Sequence, residues 1–141
     1  MSDEQQYIII DGNDGAKNLI YATWLRSYEA SSLAAKHVPR DLFFAEHHLV
    51  IDRVFSGQPT VKLAVLPDEP DVVLGWSVSE PGVVHYVYVK PAFRRHGLAK
   101  ALLAHFEEPF SYTHWTHPLR DLYPRLEKCV YNPYLLSRVG A

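Results

Sequence analysis

The sequence predicts an α/β fold, with a mixed central sheet covered by helices on both faces in the order β-α-α-β-β-β-α-β-α-β. Three observations carry it. Apolar residues alternate with period two over 60–66, 72–78 and 83–89, the signature of strands. They recur at helical spacing before the first of these runs and after the last. Between the two patterns lies the stretch 83–106, VVHYVYVKPAFRRHGLAKALLAHF, which reads as strand, basic turn and helix.

The elements follow in order. Tyr7 to Ile10 is a short apolar run ended by the turn-forming stretch Asp11-Gly12-Asn13-Asp14-Gly15, and is the first strand. From Ala16 to Ser31, Ile20, Trp24 and Tyr28 fall on one helical face. Pro39-Arg40-Asp41 opens a second helix, with Phe44, His47 or His48, Ile51, Val54 and Phe55 on its apolar side and Ser56-Gly57 at its end. The next three strands are joined by short turns at 67–70 and 80–82, so they form an antiparallel meander. In the third, Val83, His85, Val87 and Val89 share one face, and Pro91 stops the strand because proline has no N–H for a ladder. A helix from 97 to 107 leads to a strand over 110–116, and a right-handed crossover makes these two strands parallel. Pro118 opens a short helix over 119–123, and 129–136 is a last strand, irregular at Asn132-Pro133.

A length of 141 residues predicts one domain over 1–141. A net charge of −2 argues against a general nucleic-acid binder, although Arg94, Arg95 and Lys100 make a local basic site. The single cysteine, Cys129, excludes an internal disulfide and fits a reducing compartment. No basic n-region precedes an apolar run at the start, and no apolar stretch approaches the ~18 residues of a membrane span. A soluble, cytoplasmic protein with no membrane partner is expected.

The basic turn opens a helix, where backbone N–H groups lack partners and the dipole is positive, so it suits an anion. The phosphate-loop patterns GxxxxGK[ST] and GxGxxG are absent. The turn Arg94-Arg95-His96-Gly97-Leu98-Ala99 instead resembles the signature [Q/R]-x-x-G-x-[G/A] of the GNAT family, the GCN5-related N-acetyltransferases. Arg94, Gly97 and Ala99 match in order, behind Val87, Val89, Pro91 and Phe93. The resemblance covers nearly the whole chain and implies the acyl-CoA N-acyltransferase fold. It further implies transfer of an acetyl group from acetyl-CoA to an amine by direct attack in a ternary complex. The backbone from Arg95 through His96, Gly97, Leu98 and Ala99 to Lys100 would hold the pyrophosphate, with Arg94, Arg95 and Lys100 adding charge. Val87, Tyr88 and Val89 would line the pantetheine arm, and an N–H of Val89 or its neighbour would meet the oxyanion.

The family's usual base is a strand glutamate or a water. This strand carries no carboxylate, and His85 is its one group titrating near neutrality. Glu80, His114 and a water relay are the alternatives. The family's acid is a tyrosine, here Tyr123, with Tyr131 as runner-up. Pro124 follows Tyr123 directly, and the Gly-Phe that usually accompanies the tyrosine is missing. The first two helices line the acceptor groove in this family, which makes Trp24, Arg26, Tyr28 and His48 candidate substrate contacts beside their plain reading as core or surface. His47 and His48 point ~100° apart on a helix and read as surface or cap residues. His114 and His117 point to opposite faces of an extended strand, so no metal is expected. The acceptor is a small-molecule amine, a protein lysine or N-terminus, or a nucleobase amine, and a homodimer is compatible with the sequence. The compact chain and its closing Tyr131-Asn132-Pro133-Tyr134 also resemble GNAT-like proteins of bacteriophage genomes. The departures from the family pattern leave a non-catalytic acyl-CoA-binding module as the competing reading, and a scaffold without cofactor as a third.

Overall fold

The computed structural model describes residues 7–32, 34–94, 97–104, 110–116 and 129–137. Its six strands lie in the order of the sequence: β1 (Ile8–Asp11), β2 (Thr60–Val65), β3 (Val73–Glu80), β4 (Val83–Val89), β5 (Ser111–Tyr112) and β6 (Val130–Tyr131). The first four are antiparallel, and β4, β5 and β6 are parallel. This is the mixed sheet expected from short turns before β4 and a crossover after it.

Helices α1 (Lys17–Ser31) and α2 (Arg40–Ser56) cover one face of the sheet, and α3 (Leu98–Leu102) covers the other. Ile20 and Trp24 of α1 and Ile51 and Val54 of α2 bury against Leu63, Val65, Trp76, Val78 and Tyr86. Leu98 and Leu102 of α3 bury against Ala64, Leu74, Val84, Val87 and Val89. Each Val, Leu or Ile among them contributes about 1.5–3 kcal/mol when fully buried. The Trp76 indole N–H donates to Thr23 Oγ1 at 2.9 Å, which ties α1 to β3 through a buried polar contact.

Three expected elements differ. The strand placed over 110–116 pairs only through Ser111–Tyr112, opposite Val83 and Val84 of β4. The strand placed over 129–136 is Val130–Tyr131, followed by a 3-10 turn over Pro133–Ser137. Pro133 has no N–H for a ladder, and Asn132 Oδ1 accepts the Tyr134 N–H at 3.2 Å, which favours the turn. Helix α3, expected over 97–107, ends at Leu102, with Leu103 and Ala104 in a turn, and the helix expected over 119–123 lies outside the described residues. Among the described residues no helix is long and apolar enough to cross a membrane.

Candidate active site

Strands β4 and β5 meet and then part. Val83 pairs with Ser111 and Val84 with Tyr112, and the Thr113 N–H donates to the Val84 carbonyl at 3.1 Å. Strand β4 continues to Val89, but β5 ends at Tyr112. The parting coincides with a β-bulge. Val78 pairs with Tyr86, but Ser79 pairs with Val84, so His85 is the extra residue. The bulge corrects the expected alternation. Val84, Val87 and Val89 face α3, while Tyr86 faces α1 and α2 and His85 bonds with groups on that same side. The Lys90 N–H donates to the Leu74 carbonyl at 2.9 Å, so the backbone groups of Val87 and Val89 alternate onto the edge of β4 away from β3.

The turn after β4 begins as a 3-10 turn at Pro91–Phe93. Arg94 folds back, and its Nε donates to the Val89 carbonyl at 3.2 Å. Gly97 sits in the left-handed region at φ +84°, a conformation that glycine adopts without a Cβ clash. The Ala101 N–H donates to the Gly97 carbonyl at 3.0 Å and closes the first turn of α3. Among the described residues a Cβ on Gly97 would meet only Tyr7 Oη, at 3.9 Å, so they leave the space above this backbone open. Leu98 is in the core, Ala99 is partly buried and Lys100 is exposed. Arg95 and His96 lie outside the described residues. Tyr88 packs on Trp76 and, with Arg94, borders a pocket of about 310 Å³ whose other wall is Thr23, Arg26, Ser27 and Ala30 of α1.

On the α1–α2 side of the parting lies a line of buried polar groups. His85, fully enclosed, bonds through Nε2 to Glu80 Oε2 at 2.5 Å and through Nδ1 to Thr113 Oγ1 at 3.1 Å. Thr113 Oγ1 is 2.9 Å from His114 Nδ1, and His114 Nε2 is 3.0 Å from His47 Nε2. The expectation of His47 as a surface or cap residue is thus corrected. Its ring is half-buried, stacks on Phe43 and packs near Tyr28, because position 47 of α2 points at the sheet and position 48 does not. His48 instead pairs with Asp52 at 3.3 Å and packs on Tyr21, away from the other candidates.

Tyr28 and Tyr131 come together. The Tyr28 phenol interacts with the hydroxyls of Ser32 and Tyr131, and burial is the main cause that pushes it up to about 12. Tyr131 is 45% exposed and stacks on Tyr112. Trp24 is fully enclosed between Trp76, Tyr86 and His114, which makes it a core residue with no face toward solvent. Tyr123 and His117 lie outside the described residues. Thr113 was missed by the sequence reading. Its only signal is a hydroxyl beside a histidine at a strand end.

The environment favours the neutral form of His47, His85 and His114. Burial pushes His47 down to about 4 and lowers His85, the latter against the opposing pull of Glu80. Burial, then the neighbouring rings of His47 and His85, holds His114 well below 6.5. A histidine whose pKa is depressed on folding binds fewer protons folded than unfolded. Its stabilisation is therefore complete above pH 6.5 and is lost as pH falls through the folded value. At ~1.4 kcal/mol per unit and ring, the melting temperature should be flat above pH 7 and fall steadily from 6.5 toward 4. Calorimetric melts across that range check this. A flat profile would mean that water reaches the rings. Among the described residues no three His, Cys, Asp or Glu side chains converge to hold a metal ion.

The family model for the acetyltransferase (GNAT) family matches residues 25–110, more than half of the chain. The chain belongs to this family. The matched segment runs from α1 to the start of β5 and includes the bulge, the Arg94–Gly97 turn and α3. No curated protein matches this GNAT chain. Among solved structures it is similar to a GCN5-related N-acetyltransferase from Rhodopseudomonas palustris, at 16% identity and TM-score 0.50 over 71% of this chain and 62% of that one. It is also similar to apo YjaB from Escherichia coli, at 18% identity and TM-score 0.45 over 72% and 64%. A third is the GNAT superfamily phosphinothricin acetyltransferase from Sinorhizobium meliloti, solved with AcCoA, at 18% identity and TM-score 0.47 over 71% and 57%. The chain thus spans a little under two thirds of each of these proteins' length. The Rhodopseudomonas palustris likeness bears on the fold alone.

Proposed function

We propose that this GNAT chain is an N-acetyltransferase that moves the acetyl group of acetyl-CoA onto a primary amine by direct attack in a ternary complex. The observation that carries the reading is the parting of β4 from β5 at the His85 bulge, which leaves the backbone edge of Val87 and Val89 unladdered. That edge fits an extended arm bearing amides. The open left-handed turn at Gly97 fits a pyrophosphate approaching backbone, with Arg94, Arg95 and Lys100 supplying positive charge. Tyr88 and Leu98 support these backbones by packing on the sheet.

When bound, acetyl-CoA supplies an activated acyl group and a thiolate leaving group. The chain's own residues align it with the amine, which replaces a bimolecular encounter by a positioned one. A backbone N–H at Val87 or Val89 stabilises the developing oxyanion. Removal of the amine proton runs through His85, held between Glu80 and Thr113. Tyr131 and Tyr123 are the candidate donors to the departing thiolate. Tyr28 and Arg26 border the approach of the acceptor. That acceptor is a small-molecule amine, a protein amine or a nucleobase amine, met in the cytoplasm by a monomer or homodimer.

A thiol-release assay with acetyl-CoA over a panel of amines tests this. Turnover on at least one amine is expected, with His85→Ala lowering kcat by roughly 100-fold. Tyr131→Phe and Tyr123→Phe separate the two acid candidates, since only the true donor's loss should remove the alkaline limb of the rate profile. Coenzyme A binding without turnover on any amine would leave an acyl-CoA-binding module, and failure to bind would defeat both.

A further inference from the structure

We propose that Glu80, His85, Thr113, His114 and His47 form one proton relay, with His47 the group that takes the acceptor amine's proton and Glu80 the end that releases it to water. The proposal rests on the acetyltransferase reading and names its base. It stands on four consecutive contacts of 2.5, 3.1, 2.9 and 3.0 Å that cross from β3 through the bulge of β4 and the end of β5 to α2.

One proton order fills every acceptor along this line. An ionised Glu80 only accepts, so His85 Nε2 carries a hydrogen and His85 Nδ1 is a lone pair. Thr113 then donates to His85 Nδ1 and accepts from His114 Nδ1–H. His114 Nε2 is left as an acceptor, and His47 Nε2–H fills it. Every donor in the line has an acceptor, with the His85 carbonyl at 3.2 Å as the threonine's alternative. The remaining nitrogen, His47 Nδ1, has no hydrogen bond among the described residues. The line therefore ends in a lone pair on a half-buried ring at one side and in a carboxylate 26% exposed at the other.

In one passage the ammonium N–H bond breaks and a proton joins His47 Nδ1. The Nε2 proton of His47 passes to His114 Nε2, the Nδ1 proton of His114 to Thr113, the hydroxyl proton to His85 Nδ1, and the Nε2 proton of His85 to Glu80 and then water. The free amine keeps the electron pair with which it attacks the thioester. Phe43 and Tyr28 pack on the His47 ring at 5.3 and 5.0 Å and fix its orientation. The titratable neighbours of the rings are Tyr28 on α1, Tyr86 on β4 and each other, with Glu80 the charged group of the line. Burial disfavours charge on each ring, so no ring holds the proton as a stable imidazolium and the transfers must run together in one passage.

Thr113→Val cuts the line without changing side-chain shape. It should lower kcat by roughly 100-fold, leave KM for acetyl-CoA within twofold and shift the acidic limb of the pH–rate profile, while Thr113→Ser keeps near-full activity. Nitrogen-15 spectra of the histidine rings should show protons on Nε2 of His47 and His85 and on Nδ1 of His114. Unchanged kcat and pH profile in Thr113→Val, or any ring carrying the opposite proton, overturns the relay even if the enzyme turns over. Absence of turnover in the unaltered protein instead overturns the acetyltransferase reading, and the relay's role with it.

Discussion

Gly97→Trp should lower coenzyme A affinity by at least ~100-fold, about 2.7 kcal/mol, while the melting temperature drops by only a few degrees. Two facts separate the effects. The residue holds φ +84°, so any side chain there costs ~1 kcal/mol of backbone strain. Among the described residues Tyr7 Oη at 3.9 Å is the one atom a Cβ would meet, so an indole meets no crowding from them where it leaves the backbone. It enters the volume assigned to the pyrophosphate. Gly97→Ala isolates the strain term and should retain most of the binding. Calorimetric titration with coenzyme A, alongside a thermal melt of each variant, makes the comparison. Equal affinity in the tryptophan variant and the unaltered protein would move the cofactor away from this turn.

Gly75→Ala should be the most destabilising small change in the sheet, by about 3 kcal/mol and roughly 10 °C in melting temperature. A Cβ at Gly75 would stand 2.6 Å from the Tyr88 carbonyl oxygen and 3.3 Å from Val89 Cα. Both atoms are backbone and cannot rotate away. Relief requires β3 and β4 to separate beside Val89, at the edge proposed to hold the pantetheine arm. Affinity for coenzyme A should therefore fall together with stability, unlike in Gly97→Ala. A melt within 2 °C of the unaltered protein would show that β4 yields more easily at Val89 than its pairing with β3 implies.

Local chemistry made much of the fold legible. Pro39 and Gly57 bracket α2 in the sequence and bracket it in space. The short turns between β2, β3 and β4 dictated their antiparallel pairing. The ends of the chain were harder. Strand β5 is two residues long, and its pairing with β4 stops where the ladder between β3 and β4 slips by one residue, a slip that no single run of letters displays. The same slip misled the facial reading of β4. Strict alternation put His85 with Val87 and Val89, but one extra residue in the ladder turned it toward Glu80 and Thr113.

The candidate site divides along the same line. Arg94, Gly97 and Ala99 are readable because a phosphate cradle needs a glycine backbone and a helix start within a few residues of one another. The proton line is not, because Glu80, His85, Thr113, His114 and His47 come from four separate elements. Sequence by itself determined the kind of fold, the strand–turn–helix unit and the family, since each rests on short-range periodicity and spacing. The tertiary structure alone decided which side of the sheet His85 serves and that His47 points inward. Both depend on the register between strands and the rotation of α2 against them, and contacts far apart in the chain set those.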